Sequence, residues 1–350
     1  MANRAFWLPI TIAMFTQCTS QPPDFSETDW YEKTLAADSA LLYARHQDAD
    51  GAFFCPWLQR DGNRRSGSWL FHKRREYEKV PVEKYGSLPN DYAYLSDNNF
   101  DSITFAGHAS MIVKMDGQTV FTDPFFSKAA LVRQKKVKIK FDFSKVPENP
   151  VVLLSHNHYD HLDRYSVRKL AKKGAVFIVP LGLKKHVTGL GAKDVRELDW
   201  WQSAKVGSIE YTFLPAQHWS LRMGQKGGST LWGGFLIQGS KNIYFSGDTG
   251  YFAGFKEFGR RWNIDYALLG AGAYEPRWFM HYSHMNVQEF FRSAEDLNAK
   301  CAIPMHFGII SLSDEPLLYP LFEIDNYIKE NVRSTDHVRP LRVGGYLRLE

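Results

Sequence analysis

The stretch Leu153–Asp163, reading Leu-Leu-Ser-His-Asn-His-Tyr-Asp-His-Leu-Asp, constrains the fold of this chain more than any other. An apolar run, Val151–Leu154, stops at Ser155, and His156, His158, Asp160 and His161 then arrive within six residues. The run reads as a short buried strand, and the pattern from Arg164 to Lys173 reads as a helix. Four potential ligands therefore sit in a loop at the carboxyl end of a strand, where open α/β sheets place what they bind. Imidazole and carboxylate together suit zinc, with iron or manganese as alternatives. A lone histidine usually belongs to a surface or a core. Three histidines and an aspartate this close together favour a metal over an exposed polar loop.

The rest of the chain bounds the setting. Its 350 residues allow one large domain or two ordinary ones, and 44% hydrophobic content is ample for a core. Phe (25), Tyr (17) and Trp (10) are abundant, which suggests dense packing together with an apolar groove or a surface that meets lipid. A net charge of +5 does not by itself make a nucleic-acid protein, and none is expected as partner. Cys18, Cys55 and Cys301 form neither a disulfide framework nor a zinc knuckle. Cys301 lies in an apolar strand-like run and reads as structural.

Residues 1–18 resemble a short export signal, with Arg4 before the apolar run Ala5–Phe15 and Cys18 placed as in a bacterial lipoprotein. This reading puts the protein in the cell envelope at a membrane; a merely apolar leader in a cytoplasmic protein is the alternative. Residues 19–95 are polar, aromatic and irregular, with Asp61-Gly62-Asn63 as a turn, Trp69-Leu70-Phe71 as an apolar island and Lys73-Arg74-Arg75 as a basic cluster. They read as an arm packed on the body, with a helix between Asp29 and Arg45. The body is expected over 96–350.

Within the body a phrase recurs. Ser102–Lys114 is strand-like, Asp116-Gly117 is a hairpin turn, and Thr119–Thr122 is a strand ended by Asp123. Further on, Thr230–Gln238 is strand-like, Gly239–Asn242 turns, and Ile243–Ser246 is a strand followed by Gly247-Asp248. Val151–Leu154 echoes Tyr266–Leu269, and Val176–Pro180 echoes Ala302–Met305. The expected architecture is two packed sheets with helices on both outer faces, and a site where the loops of the two halves converge.

Those loops supply His218 after Phe213–Ala216, Asp248 after Ile243–Gly247, and His306 after Ile303–Met305. Five histidines and two aspartates are too many for one tetrahedral ion and suit two. A workable partition places His156, His158 and His218 on one metal and Asp160, His161 and His306 on the other, bridged by Asp248 and a water or hydroxide.

The pattern His156-x-His158-x-Asp160-His161 with His218, Asp248 and His306 in order resembles the metallo-β-lactamase superfamily. That resemblance implies an αββα four-layer sandwich of two mixed sheets flanked by helices, and the full set of ligands resembles its binuclear hydrolases. Gly107–Ser110, Thr122–Ser127, Pro215–Trp219, Gly247–Tyr251 and Gly272–Met280 further resemble N-acylphosphatidylethanolamine-hydrolysing phospholipases D, over about residues 50 to 345. The implied activity is a zinc-dependent phosphodiesterase carrying two Zn2+. A metal-bridging hydroxide would attack phosphorus, releasing an N-acylethanolamine and leaving phosphatidic acid. Lactonase or other phosphodiester chemistry on the same scaffold is the alternative. The implied partner is a phospholipid at a membrane surface; the oligomeric state is open, a homodimer included.

Asp160, itself a ligand, and His284 are the catalytic candidates; the resemblance lets His284 face substrate or transfer a proton. Asp123 either orients a ligand histidine or is an Asp-Pro turn residue. His108 either supports the site or is a buried, hydrogen-bonded histidine, and His281 accompanies His284. Tyr274, Trp278, Phe279 and Trp219 either line an acyl groove or pack the core. The basic run Arg133, Lys135, Lys136, Lys138, Lys140 reads first as a solvated strand edge and second as a patch for anionic lipid.

Overall fold

The run after Pro150 does form a strand, and its burial shows why every position must be apolar. In the computed structural model Val151 and Leu153 enter one core, which contains residues of two sheets, whereas Val152 and Leu154 enter a second core beneath helices. A strand covered on both faces cannot alternate apolar and polar residues.

The structure describes residues 25–58, 75–97, 101–137, 139–331 and 337–350. The leader with Cys18, the Asp61–Asn63 turn, Trp69–Phe71, Lys73, Arg74 and Lys138 lie outside these residues. In chain order the strands are β1 (Ser102–Gly107), β2 (Ser110–Met115), β3 (Gln118–Thr122), β4 (Ala129–Ala130), β5 (Arg133–Gln134), β6 (Val151–Leu153), β7 (Val176–Pro180), β8 (Asp194–Leu198), β9 (Ser203–Val206), β10 (Ile209–Leu214), β11 (Gly234–Gln238), β12 (Asn242–Phe245), β13 (Tyr266–Gly270), β14 (Cys301–Met305) and β15 (Tyr346–Arg348). The helices are α1 (Glu27–Leu35), α2 (Val82–Tyr85), α3 (Arg164–Ala171), α4 (Lys184–Thr188), α5 (Gly254–Arg261), α6 (Arg277–Met280), α7 (Val287–Asp296) and α8 (Tyr319–Glu330).

One sheet has the order β15-β1-β2-β3-β6-β7-β8 and the other β14-β13-β12-β11-β10-β9. Each is mixed: antiparallel hairpins lead into the parallel strands β3-β6-β7 in the first and β12-β13-β14 in the second. The two halves anticipated from the sequence are thus two sheets with matching strand order. Val167 and Leu170 of α3 and Val187 of α4 cover the outer face of the first sheet. Phe255 and Phe258 of α5 pack on Tyr244 of β12, and α7 lies against α5 and β13 on the outer face of the second. This is the expected four-layer αββα sandwich. Residues 25–58 pack on it: Trp30, Leu42, Cys55 and Trp57 are buried in the main core, with Trp57 stacked 5.3 Å from Phe252.

Several boundaries differ from expectation. Ser102–Lys114 is two strands, broken at His108-Ala109 because His108 takes a left-handed φ of 58°, and the register shifts between Phe105 and Gly107. The second-half strand begins only at Gly234. Asp29–Arg45 divides into α1 and a short 3-10 turn, Ser39–Tyr43, capped by the Asp38 side chain. Of the described residues of the basic run, Arg133–Gln134 forms an exposed strand paired with Ala129–Ala130, and the rest is not strand. Within it Lys135 is partly buried, its amine donating to the Phe125 carbonyl and lying 3.9 Å from the Phe125 ring centroid.

Leu153→Ala removes a fully buried side chain between the sheets and should cost roughly 2–5 kcal/mol. A urea unfolding curve should show the midpoint falling with the slope unchanged; an unshifted midpoint would show that this strand is not part of the cooperative core.

Candidate metal centre

All the ligand-bearing loops leave strands at their carboxyl ends and meet along the cleft between the sheets. Their closeness depends on glycine. Gly247, after β12, has φ +58°, and a Cβ there would lie 2.7 Å from both the Gly233 carbonyl and the Ser155 Cβ. Gly272, after β13, approaches His306 so closely that a Cβ would meet its carbonyl oxygen at 2.2 Å. A side chain at Gly247 would push the two sheets apart at Ser155, and one at Gly272 would push apart the loops after β13 and β14 of the second sheet.

The seven predicted ligands come together. His156 Nε2, His158 Nδ1 and His218 Nε2 converge, with separations of 2.7 Å between the first two and 3.3 Å between the last two. On the other side, His161 Nε2 lies 3.3 Å and His306 Nε2 3.9 Å from Asp160 Oδ2. Asp248 sits between the groups: Oδ2 is 3.1 Å from His161, 3.7 Å from His218 and 3.8 Å from His156, and Oδ1 is 3.0 Å from His306. Two four-residue sets could each hold an ion, His156/His158/His218/Asp248 and His108/Asp160/His161/His306. His161 Nε2, His306 Nε2 and Asp248 Oδ1 are buried and make no hydrogen bond, so a cation is what this donor set lacks.

Buried partners fix the tautomers. Asp123 has no exposed surface and φ +35°; it accepts the Ser155 N–H at 2.7 Å and His161 Nδ1–H at 2.7 Å. Ser155 Oγ donates to Asp123 and accepts His156 Nδ1–H at 2.8 Å. One carboxylate thereby turns the Nε2 lone pairs of His156 and His161 toward the centre. His218 Nδ1–H goes to the Ser283 carbonyl at 3.2 Å, to the same effect. Of the two readings left open for Asp123, the contacts give the orienting one. His108 likewise supports the site directly, with Nε2 2.7 Å from Asp160 Oδ2.

The electrostatics favour neutral imidazoles. Burial, reinforced by neighbouring imidazoles, lowers the pKa of His156 well below its ordinary value, and burial does the same at His218. Burial and the adjacent His306 bring His108 down to about 3. His161 is the exception: the burial that would lower it is outweighed by Asp248, Asp160 and Asp123, which raise it well above 6.5. Burial opposes ionisation of Asp160 and Asp248, yet His161 and the other imidazoles around each hold both well below the ordinary carboxylate range. A cation arriving at His161 must displace its proton.

The further candidates separate. His284 borders a cavity of about 160 Å3 over the cluster, together with Trp219, Phe279, Met280 and Leu312. Its ring is 5.1 Å from that of His306. His281 instead turns to the N-terminal region, its ring 4.4 Å from Phe25 and 4.2 Å from Trp30. Tyr274 is core, its hydroxyl donating to Glu323 at 2.6 Å, and Trp278 packs on Phe279 from outside the cavity.

Other residues that hold the site carried no sequence signal. Arg222 is buried and its Nη1 donates to the carbonyls of Asn157 at 2.7 Å and Leu162 at 3.1 Å, pinning both ends of the histidine loop. Asn157 Oδ1 accepts the Leu221 N–H at 2.9 Å. Glu315 accepts the backbone N–H groups of Ala273, Tyr274 and Glu275 and the Ser313 hydroxyl, fixing the cavity wall.

A model of the β-lactamase superfamily domain matches residues 118–307. The chain belongs to this superfamily. Its sequence is 32% identical over 303 residues to N-acyl-phosphatidylethanolamine-hydrolyzing phospholipase D 1 of Caenorhabditis elegans, covering 77% of this chain and 83% of that protein. It is 33% identical over 233 residues to the mitochondrial N-acyl-phosphatidylethanolamine-hydrolyzing phospholipase D of Saccharomyces cerevisiae, covering 62% of this chain but only 49% of the yeast protein. The chain thus spans about half the length of that relative. Among solved structures, Igni18, a metallo hydrolase of the archaeon Ignicoccus hospitalis, aligns with a TM-score of 0.53 at 22% identity, over 72% of this chain and 99% of that one.

Asp123→Ala should leave the chain folded but lower metal affinity about 10–100-fold, read by competition with a chromogenic chelator. Calorimetric titration of the wild type with zinc in buffers of different ionisation enthalpy should show proton release, and apparent affinity should fall as pH drops and protons hold His161.

Proposed function

We propose that the protein is a zinc-dependent phosphodiesterase of phospholipase D type, acting on N-acylphosphatidylethanolamine. The single observation that carries the reading is the bridging position of Asp248 between two ligand sets under a small, half-apolar cavity. The similarity to the worm and yeast phospholipases D supports the substrate class. His156, His158 and His218 would hold one ion, Asp160, His161 and His306 the other, with Asp248 shared. Bound divalent ions at such a centre act as Lewis acids and bring water toward a pKa near 7.

The chain's own residues do the rest. Asp123, Ser155 and His108 hold the ligands, so little reorganisation accompanies reaction. His284 faces the cavity, and burial lowers its pKa to about 3. Its imidazole is therefore neutral near pH 7, with one N–H to donate to an oxygen of the bound phosphodiester. Trp219, Phe279, Met280 and Leu312 exclude water from the reacting group. Among the described residues no helix is long and apolar enough to cross a membrane, so a lipid substrate would be met at a surface. An envelope location through Cys18 belongs to the same proposal.

Zinc-loaded protein given N-acylphosphatidylethanolamine should release phosphatidic acid and N-acylethanolamine in equal amounts, detected by mass spectrometry. Turnover of a lactone with no phosphatidic acid would overturn the substrate assignment. His158→Ala and Asp248→Asn should abolish turnover. His284→Ala should lower kcat roughly 10²-fold or more while keeping bound metal; unchanged kcat would remove His284 from the chemistry.

A further inference from the structure

At about 160 Å3 the cavity over the cluster admits a headgroup, well short of the ~300–1,000 Å3 of sites that enclose drug-sized ligands. The chains of a diacyl substrate must extend beyond this cavity. The face around the cavity mouth therefore has to suit an apolar environment.

Three segments flank the histidine loop. The β4–β5 hairpin hangs beside Asp163, whose Oδ2 accepts the N–H groups of Phe126 at 3.2 Å and Ser127 at 2.9 Å. Leu221–Met223 lies on the other flank, the Met223 N–H donating to Tyr159 Oη at 3.2 Å. Tyr165, in the first turn of α3, donates its N–H to the Asp163 side chain. These segments carry Leu131 (51% exposed), Val132 (81%), Tyr165 (45%), Leu221 (41%) and Met223 (76%). Five of the ten large apolar side chains most exposed among the described residues thus gather around one loop. Scattered exposed apolar residues need no explanation, but a cluster does.

The hairpin tip adds an independent observation. Ala130 pairs with Arg133, so Leu131 and Val132 are the two central residues of a tight turn, and Leu131 is held at φ +53°. Glycine, asparagine or aspartate normally fills that position, and a leucine there is strained. An exposed, strained leucine beside an exposed valine does nothing for the turn. Around the tip the exposed charged side chains are basic: Lys128, Arg133 and Lys136, with Arg164 beside Tyr165.

We propose that this rim, led by the Leu131–Val132 tip, is a docking surface for anionic phospholipid bilayers. The tip and Met223 enter the headgroup–acyl boundary, and Lys128, Arg133, Lys136 and Arg164 lie over lipid phosphates. The cavity mouth then opens onto the layer that holds the substrate. The biological sense of the proposal rests on the phospholipase reading; the binding itself can be tested apart from it.

The test compares the full chain with its Leu131→Gly/Val132→Ser variant. Glycine suits the left-handed position, so the variant should unfold at the same temperature or higher. Wild type should co-sediment with phosphatidylcholine vesicles containing about a quarter phosphatidylglycerol, less so as salt rises. The variant should bind at least about tenfold more weakly. Its turnover of N-acylphosphatidylethanolamine in those vesicles should drop in step, while turnover of a short-chain, water-soluble analogue stays unchanged. Equal vesicle binding by the two proteins, or a wild type that ignores vesicles and instead self-associates through this face, would overturn the proposal. Vesicle binding through the tip without phospholipid hydrolysis would leave the docking surface standing and remove the phospholipase reading. Hydrolysis with tip-independent binding would do the reverse.

Discussion

A carboxylate buried among imidazoles is the constraint around which the cleft is built. Asp248 is only 5% exposed, and an ionised carboxylate in an apolar sandwich costs several kcal/mol unless it is compensated. The compensation cannot come from its own loop. It comes from His161 and His306 at 3.1 and 3.0 Å, and from His156 and His218 just beyond, on strands of both sheets. The sheets therefore have to touch at their carboxyl ends, which is why Gly247 stands where a methyl group would collide with Ser155 of the other sheet.

Asp123 occupies the corresponding place in the first half, after β3 as Asp248 follows β12, yet it does a different job. It is shut away behind Ser155 and His161 and sets their hydrogen-bond directions. A repeated structural unit has thus supplied one carboxylate to the centre and one to its frame. The difference follows from depth: the loop after β6 crosses in front of Asp123, whereas the loop after β13 leaves Asp248 open to the cavity.

Much of this is legible in the sequence because it is local. An apolar tetrapeptide running into four potential ligands within six residues declares strand, loop and candidate site together, and the echo of Thr119–Asp123 in Ile243–Asp248 locates Asp248. What stays hidden depends on contacts between distant residues. The break at His108 follows from its pairing with Phe307 and His306 backbone and with Asp160, and nothing in Ser102–Lys114 announces it. Arg222 looks like any loop arginine until the carbonyls of Asn157 and Leu162 are seen to converge on it. Tyr274 and Phe279 read alike, yet an acceptor on Glu323 commits the first to the core, while the second faces the cavity.

The aromatic residues show how composition can point at the right property and the wrong atoms. Their abundance suggested a surface that meets lipid, yet Phe and Trp rings are spent on the interior: Phe105, Phe213, Phe235, Phe245 and Phe252 are fully buried, and Trp57, Trp200 and Trp232 nearly so. Among the described residues the large aromatics most exposed are all tyrosines, Tyr43, Tyr165 and Tyr346. The exposed apolar side chains on the segments flanking the histidine loop are instead mainly aliphatic: Leu131, Val132, Leu221 and Met223. This division is physically sensible. Rigid rings fill a wide two-sheet core at low cost in side-chain entropy, whereas a contact with a fluid, shapeless partner gains nothing from ring geometry and is served by small, adaptable side chains on loops. Strength in the core and adaptability at the rim are separate requirements, and the chain meets them with different residue types.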